Sequence, residues 1–404
     1  MKSLLASAAW FILGAPLLAD VRAGHYDMAE VRDASTLETR VIDDWHPWGK
    51  NTKIRQKLIE ITVCEWWPGQ KVRLPVTLVA PAEGGPSKNM IVANSGTPLK
   101  AVSPSGAMLR LLQDHGVGLA YIGMTTIDAM PPAGVLDVGM KEHFLKTKDA
   151  RYTPAWIWGL SDMRALTAAM AEKNVFAPVK VIATGGSKRG VGAAAAVIAD
   201  DRFTAMMPVV APLIDPPGGP YVQGLQAPEI VRANEQFLAD LAAKKISNAP
   251  ATARAALLSR EQVRAHERIT KDEARNAGWS EDEMKTACTL AWEVCRTPNF
   301  LPALEKRGVE IFYNEGSNDQ VSPGLLGFVK RYPDFPIYVV PGGQHGGSKD
   351  TGFMKSVASL PEVDENLYAF ARHHFFQDRP MLAAPKIATN WNASPRKLQV
   401  NISF

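Results

Sequence analysis

Short apolar runs alternate with helix-periodic stretches along most of the chain. Met90 to Ala93, Leu119 to Ile122, Val179 to Ala183, Met206 to Val210, Val309 to Tyr313 and Ile337 to Val340 have the length and apolar content of buried strands. Between them, Ser105 to Asp114, Trp156 to Glu172 and Lys188 to Ala199 carry helical spacing. Buried strands alternating with helices imply a mostly parallel sheet. Ahead of them, Leu58 to Trp66 and Val72 to Ala80 are rich in β-branched residues and flank a Pro68-Gly69 turn. They predict an antiparallel pair. Two antiparallel strands before six further ones give an eight-stranded α/β sheet.

The rhythm breaks between Val210 and Val309. Residues 221 to 300 are charged, Ala-rich and helical in pattern. So long a connection is not expected to be structureless, and the pattern predicts a helical lid inserted between two sheet strands. The resulting division is a core at 24–220, a lid at 221–300, a second core part at 301–380 and a tail at 381–404. The tail is polar, contains Pro385 and Pro395, and reads as a surface segment. At the other end, Lys2 precedes an apolar stretch from Leu4 to Ala19, and small residues follow. That is the layout of a secretory signal peptide, with cleavage expected after Ala23 or Ala19. The stretch falls short of the roughly 20 apolar residues that a comfortable membrane span needs. A periplasmic or secreted protein with no stable membrane span after cleavage is therefore expected.

Charge and cysteines narrow the classes further. The 45 basic and 41 acidic residues leave a formal net charge of only +4. No basic stripe with interleaved aromatics appears, so the sequence carries no footprint for nucleic acid. Of the three cysteines, Cys288 and Cys295 are the pair an oxidising compartment would join. On one straight helix their Cα atoms would lie about 10 Å apart, beyond the roughly 7 Å reach of a disulfide. A bridge therefore requires the helix to break between them. No HExxH or CxxC pattern appears, so neither a metal nor a cofactor is expected.

The candidate chemistry centres on residues 179 to 203, VKVIATGGSKRGVGAAAAVIADDRF. An apolar strand ends at Thr184, Gly185-Gly186 follow, then Ser187, then an Ala-rich helix. A nucleophile elbow requires this strand–turn–helix context. The motif departs from G-x-S-x-G, because Arg189 holds the second position after the serine and glycine arrives at Gly190. A glycine-rich turn that packs tightly or binds phosphate is the alternative, although the P-loop spacing G-x-x-x-x-G-K-[ST] is absent. Downstream, Asp319 follows one predicted strand and His345 the next, in the order Ser…Asp…His. A serine hydroxyl is a weak nucleophile. It needs a base, His345, and the base needs an acid to hold its tautomer, Asp319. Asp215 in PLIDPP is the rival acid. The backbone N–H of Lys188, at the start of the helix, is one expected oxyanion donor. The second is expected from Gly96 or Thr97 in the loop after the third strand. His373-His374 lies in a helical segment and reads as structural. Trp66, Trp67, Trp156, Trp158 and Trp292 could line a pocket, but core or lid packing is the commoner fate of such residues, and none is assigned to substrate.

The stretches GGSKRG at 185 to 190 and DDRFTAMMPVV at 200 to 210 resemble the PhoPQ-activated pathogenicity-related family of bacterial α/β-hydrolase-like proteins. Segment 156 to 171, GSND at 316 to 319 and VPGGQH at 340 to 345 agree more loosely, and Val191-Gly192 replaces the bulky aromatic expected after SKRG. The elbow is also similar to those of bacterial glucuronoyl and acetylxylan esterases. The resemblance implies an α/β-hydrolase fold, export and a serine mechanism, and keeps carbohydrate-linked esters open beside small-molecule ones. The expectation is an exported carboxylic-ester hydrolase. An amidase or peptidase with the same trio, or a non-catalytic binding protein of this fold, are the alternatives.

Overall fold

A computed structural model of the chain describes residues 25–95, 100–124, 135–211, 236, 238–245, 269–317, 319, 325–345, 356–380, 386–392 and 397–403. The expected signal peptide lies outside these residues. The strands of the main sheet are β1 (Arg40–Trp48), β2 (Asn51–Trp67), β3 (Gln70–Pro81), β4 (Ser87–Ser95), β5 (Gly118–Gly123), β6 (Phe176–Gly186), β7 (Ala205–Val209), β8 (Glu310–Ile311), β9 (Tyr313–Gly316) and β10 (Ile337–Val340). They are ordered β1-β2-β3-β5-β4-β6-β7-β9-β10, with β8 beside β7. The β1–β2, β2–β3 and β3–β5 pairs are antiparallel and the remaining pairs parallel. Without the edge strand β1, this order and direction are those of the α/β-hydrolase fold.

The central strands are apolar because both faces are covered. Along β4, Met90 and Val92 enter one core, whereas Ile91 and Ala93 enter the other, as the two-residue period of a strand requires. Helices Pro154–Ala171 and Lys188–Ala199 cover the first face, and helices Gly106–His115 and Pro361–Phe376 the second. The sheet has ten strands where eight were expected, for two local reasons. β1, RVIDDWHPW, is mostly exposed, and its apolar and polar residues do not alternate, so it lacks the pattern that marks a strand. The run from Val309 to Tyr313 is interrupted at Phe312 and splits into β8 and β9. In the tail, Lys386–Asn392 and Lys397–Ser403 pair as an antiparallel two-stranded sheet of their own.

Helix Pro154–Ala171 is buried almost throughout, which explains why its pattern carries little amphipathic signal. Its polar exceptions are informative. Arg164, 1% exposed, donates from Nη1 to the carbonyls of Glu30, Val31 and Asp33 and from Nη2 to Thr36 Oγ1 and Thr62 O. One guanidinium thus ties the N-terminal segment to this helix and to β2. Arg307 does the same at the far end of helix Lys188–Ala199. It donates to the carbonyls of Val197, Ile198, Asp200 and Phe203 at 2.8–3.2 Å, where unsatisfied carbonyls and the negative end of the dipole favour a cation.

Of the expected lid, 221–235 and 246–268 lie outside the described residues. The described part contains helices Lys271–Asn276, Glu281–Ala291 and, running across the expected boundary at 300, Thr297–Lys306. Ile269, Ala274, Trp279, Met284 and Ala287 form a small separate core with Phe144, and Trp279 Nε1 donates to Leu145 O at 2.7 Å. This layer therefore packs on helix Val135–Thr147. Its following turn, Glu293–Cys295, places Val294 and Cys295 in the main core with Val191 and Ala194. The helix carrying Cys288 ends at Ala291, before Cys295; the Cys288 side chain, and with it the bridge, lies outside the described residues.

Replacing Arg164 by Ala strands several buried carbonyls at once. The expected loss is about 3 kcal/mol of stability, read as a lower urea midpoint at unchanged m-value. A midpoint like the wild type's would show that the guanidinium is not what holds residues 30–36 in place.

Candidate active site

The site grows from the reversal between β6 and the helix that follows it. β6 ends at Gly186, and the helix begins at Lys188. Ser187 lies between them at φ 58°, ψ −130°, a region unfavourable for a residue with a side chain. Its N–H donates to Val209 O at 2.8 Å, which anchors the turn to β7. Two glycines let the chain cross itself. A Cβ at Gly185 would lie 2.8 Å from Arg189 C, and one at Gly190 would lie 2.8 Å from Gly185 O and 2.9 Å from Ala211 Cβ. The second close approach thus falls on Gly190, three residues after the serine. This is why Arg189 is tolerated at the position where the motif expects glycine.

The other two side chains come from the neighbouring strands. β9 and β10 are parallel, and their last pair is Gly316 with Val340. The loops leaving both strands therefore start level with each other. Ser317 N donates to Val340 O at 3.0 Å, and Gly342 N donates to Ser317 Oγ at 2.8 Å. Asp319, three residues past β9, and His345, five past β10, are thereby brought together. His345 Nδ1 lies 3.0 Å from Asp319 Oδ2, and His345 Nε2 lies 2.7 Å from Ser187 Oγ. The Asp319 carboxyl is completely buried, whereas the imidazole keeps 20% of its surface exposed. With Nδ1 protonated and donating to the carboxylate, Nε2 is left to accept from the hydroxyl. That arrangement can draw a proton from Ser187 and stabilise the imidazolium that results.

The Lys188 amide follows Ser187 directly at the helix N-terminus, where unsatisfied N–H groups and the positive dipole end favour an oxyanion. Gly96, Thr97 and the rival acid Asp215 lie outside the described residues. Among the described residues no group of three His, Cys, Asp or Glu side chains lies together as a metal site, and no helix is long and apolar enough to cross a membrane. His374 is buried in helix Pro361–Phe376, with Nε2 2.7 Å from Thr204 Oγ1 and Nδ1 3.2 Å from Glu310.

Two residues beside the site carried no motif. Asn94, at the end of β4, donates from Nδ2 to both carboxyl oxygens of Asp162, at 2.6 and 2.7 Å. Asp162 is 0% exposed. Burial holds its carboxyl well above the usual range, opposed by the Asn94 hydrogen bond. A lone acid in the apolar helix PAWIWGLSDMRALTAAMA was the available signal. The tryptophans pack as expected. Tyr26 stacks on Trp156 with ring centroids 5.4 Å apart, and Trp66 stacks on the same ring at 6.5 Å. These rings border a cavity of about 550 Å³ that also includes Glu30 and Arg164 and none of Ser187, Asp319 and His345.

No protein-family model and no curated protein matches the chain. Solved structures do. An acetyl xylan esterase from Paenibacillus sp. R4 is 14% identical with a TM-score of 0.48, over 86% of this chain and 92% of that one. A glucuronoyl esterase from Solibacter usitatus is 14% identical with a TM-score of 0.45, over 84% and 86%. Acetyl Xylan Esterase 1 from Thermoanaerobacterium sp. JW/SL YS485 is 14% identical with a TM-score of 0.42, over 81% and 89%. At this identity the likeness is one of fold. The resemblance to the PhoPQ-activated pathogenicity-related family rests on short motifs alone.

Asp162 makes stability depend on pH in a calculable direction. Burial raises its folded value, so the folded carboxyl holds its proton to higher pH than the same group in the unfolded chain. Its contribution is therefore fully present below the ordinary aspartate range and declines as pH rises towards the folded value. Asp162→Asn removes this titration. Denaturation midpoints of the two proteins should separate in the variant's favour between pH 4 and pH 8, by more at the higher pH. Parallel profiles would mean that Asp162 is ionised in the fold.

Proposed function

We propose that the protein is an exported serine hydrolase that cleaves carboxylic esters by acyl transfer. The observation that carries the reading is His345, within hydrogen-bond distance of Ser187 through one ring nitrogen and of Asp319 through the other. Ser187 Oγ attacks the ester carbonyl carbon while His345 Nε2 takes its proton. The oxyanion of the tetrahedral intermediate is held by the Lys188 amide and by a donor from the loop after β4, Gly96 or Thr97. His345 then gives the proton to the leaving oxygen, and the alcohol departs. Water attacks the acyl-enzyme by the same route, releasing the acid and restoring Ser187. Asp319 holds the imidazole tautomer throughout and is preferred to Asp215 because of its contact with His345. No cofactor enters this chemistry.

Carbohydrate-linked esters are the first substrates to test beside small ones, because the elbow resembles those of glucuronoyl and acetylxylan esterases. Export follows from the Lys2 start and the apolar Leu4–Ala19 segment. An intact-mass measurement on protein from its native host should find a chain beginning near Gly24 outside the cytoplasm. A soluble chain that keeps Met1 overturns it.

The catalytic assignment predicts that a fluorophosphonate probe labels the wild type on Ser187. Ser187→Ala should lower turnover roughly a millionfold with the fold intact, and Asp319→Asn about ten-thousandfold. Ester and amide panels run on the same proteins separate an esterase from an amidase. Retained turnover in Ser187→Ala removes the serine mechanism.

We also infer that the helical layer within 221–300 governs access to the site. Its support is Trp292, half-buried with its ring 6.3 Å from Trp158, and the packing of Val294 and Cys295 beside the helix that starts at Lys188. Trp292→Ala should change kcat/KM for bulky esters about tenfold and leave small activated esters unaffected. Equal rates for every ester would place this layer's role elsewhere.

A further inference from the structure

We propose that Asp162 is a positioning residue of the acyl-transfer site, acting through Asn94 on the end of β4. The inference rests on the serine-hydrolase reading above and adds a residue that this reading does not use.

The geometry is specific. Asn94 is the next residue after Met90 and Val92 on the β4 face that looks towards helix Pro154–Ala171. It lies one residue past the Ala93–Thr184 pairing with β6, so it stands beside the strand end that leads into Ser187. Across from it, Asp162 projects from a helix otherwise almost wholly committed to apolar packing. The titratable groups set around the acid in this layer are the Tyr26 phenol and, beyond it, the Cys295 thiol. Against Asp162 itself, the opposing influence on its protonation is the Asn94 hydrogen bond. A leucine of similar size at 162 would avoid the cost of burying a carboxyl. What the acid provides instead is a two-point contact: Asn94 Nδ2 reaches both of its oxygens. That contact ties the end of β4 to the helix.

The strand end matters because β4 lies beside β6, and β6 ends at Gly186, directly before Ser187. A reacting group in such a site has to stand within about 0.5 Å of its productive place. Its misplacement slows the chemical step more than it weakens binding. Releasing the end of β4 should therefore lower kcat and leave KM nearly unchanged.

The test uses the mature full-length chain and p-nitrophenyl acetate. Asp162→Ala should lower kcat at least tenfold, a fraction of the hundred- to thousandfold effect of deleting an oxyanion donor outright, with KM within about twofold. Asp162→Asn, which keeps shape and hydrogen-bonding capacity, should restore kcat to within about threefold of wild type. Wild-type kcat in Asp162→Ala overturns the proposal, as does a proportional change in KM, or an Asp162→Asn variant as slow as the alanine one. Should Asp162→Ala fail to fold, Asn94→Ala cuts the same link from the other side. An equal loss of kcat there supports the proposal, and wild-type kcat overturns it. Ser187→Ala measured in parallel separates the two levels: if it still turns over ester, the serine-hydrolase reading fails and this inference falls with it.

Discussion

A single backbone conformation, Ser187 at φ 58° and ψ −130°, sets the terms for everything around it. A residue with a side chain held there costs of the order of 1–3 kcal/mol and persists only where its surroundings over-determine it. Those surroundings are visible. The Ser187 N–H is committed to Val209 O, and the next residue along β7, Val210, also has a positive φ of 45° while its N–H donates to Asn314 O. Two adjacent strained positions are thus held by hydrogen bonds that run from β6 to β7 to β9. Gly185 and Gly190 remove the atoms that would block the crossing. At its far end the helix is fixed by Arg307. Strain at one end of the helix is balanced by charge-assisted bonds at the other. The serine is presented by a rigid body rather than by a loop.

The histidine and the acid are held differently. Neither sits on a strand or a helix; each hangs a few residues beyond one. Their precision comes from the parallel register of β9 and β10, which starts both loops level, and from bonds such as Gly342 N to Ser317 Oγ that tie one loop to the other. The buried carboxyl then has one well-defined neighbour in His345. A trio assembled this way tolerates variation in loop sequence provided the strand register is kept.

Much of this was legible from residues alone, and the reason is periodicity. The central strands are buried on both faces, so they appear as unbroken apolar runs, and the helix after Ser187 as a run of alanines. The order of Ser187, Asp319 and His345 could be read because each follows such a run. What could not be read has equally physical causes. β1 is an exposed edge, and without alternating apolar and polar residues nothing in its sequence marks its pairing. Phe312 interrupts a strand without leaving a compositional mark. The shift of the second glycine from the motif position to Gly190 depends on which Cβ atoms would collide, and collision is a property of the turn rather than of the letters. The Asn94–Asp162 contact joins residues far apart in the chain, and no local pattern announces it.

Helix Pro154–Ala171 shows how a buried charge can be handled in two ways within one turn. Arg164 keeps its guanidinium surrounded by backbone and hydroxyl oxygens from three segments, so desolvation is offset by acceptors and the group binds the N-terminal segment to the core. Asp162, two residues earlier, faces a single amide, and burial pushes its carboxyl well above the usual range instead. Both solutions convert an otherwise featureless apolar helix into a part with fixed orientation, since neither side chain can be satisfied in any other rotation of the helix. Apolar packing alone would let this helix slide or turn against the sheet at little cost. The two polar anchors remove that freedom, one at the N-terminal segment and one at the end of β4. The neighbouring helix, the one that begins at Lys188, inherits the resulting alignment through its packing against this one.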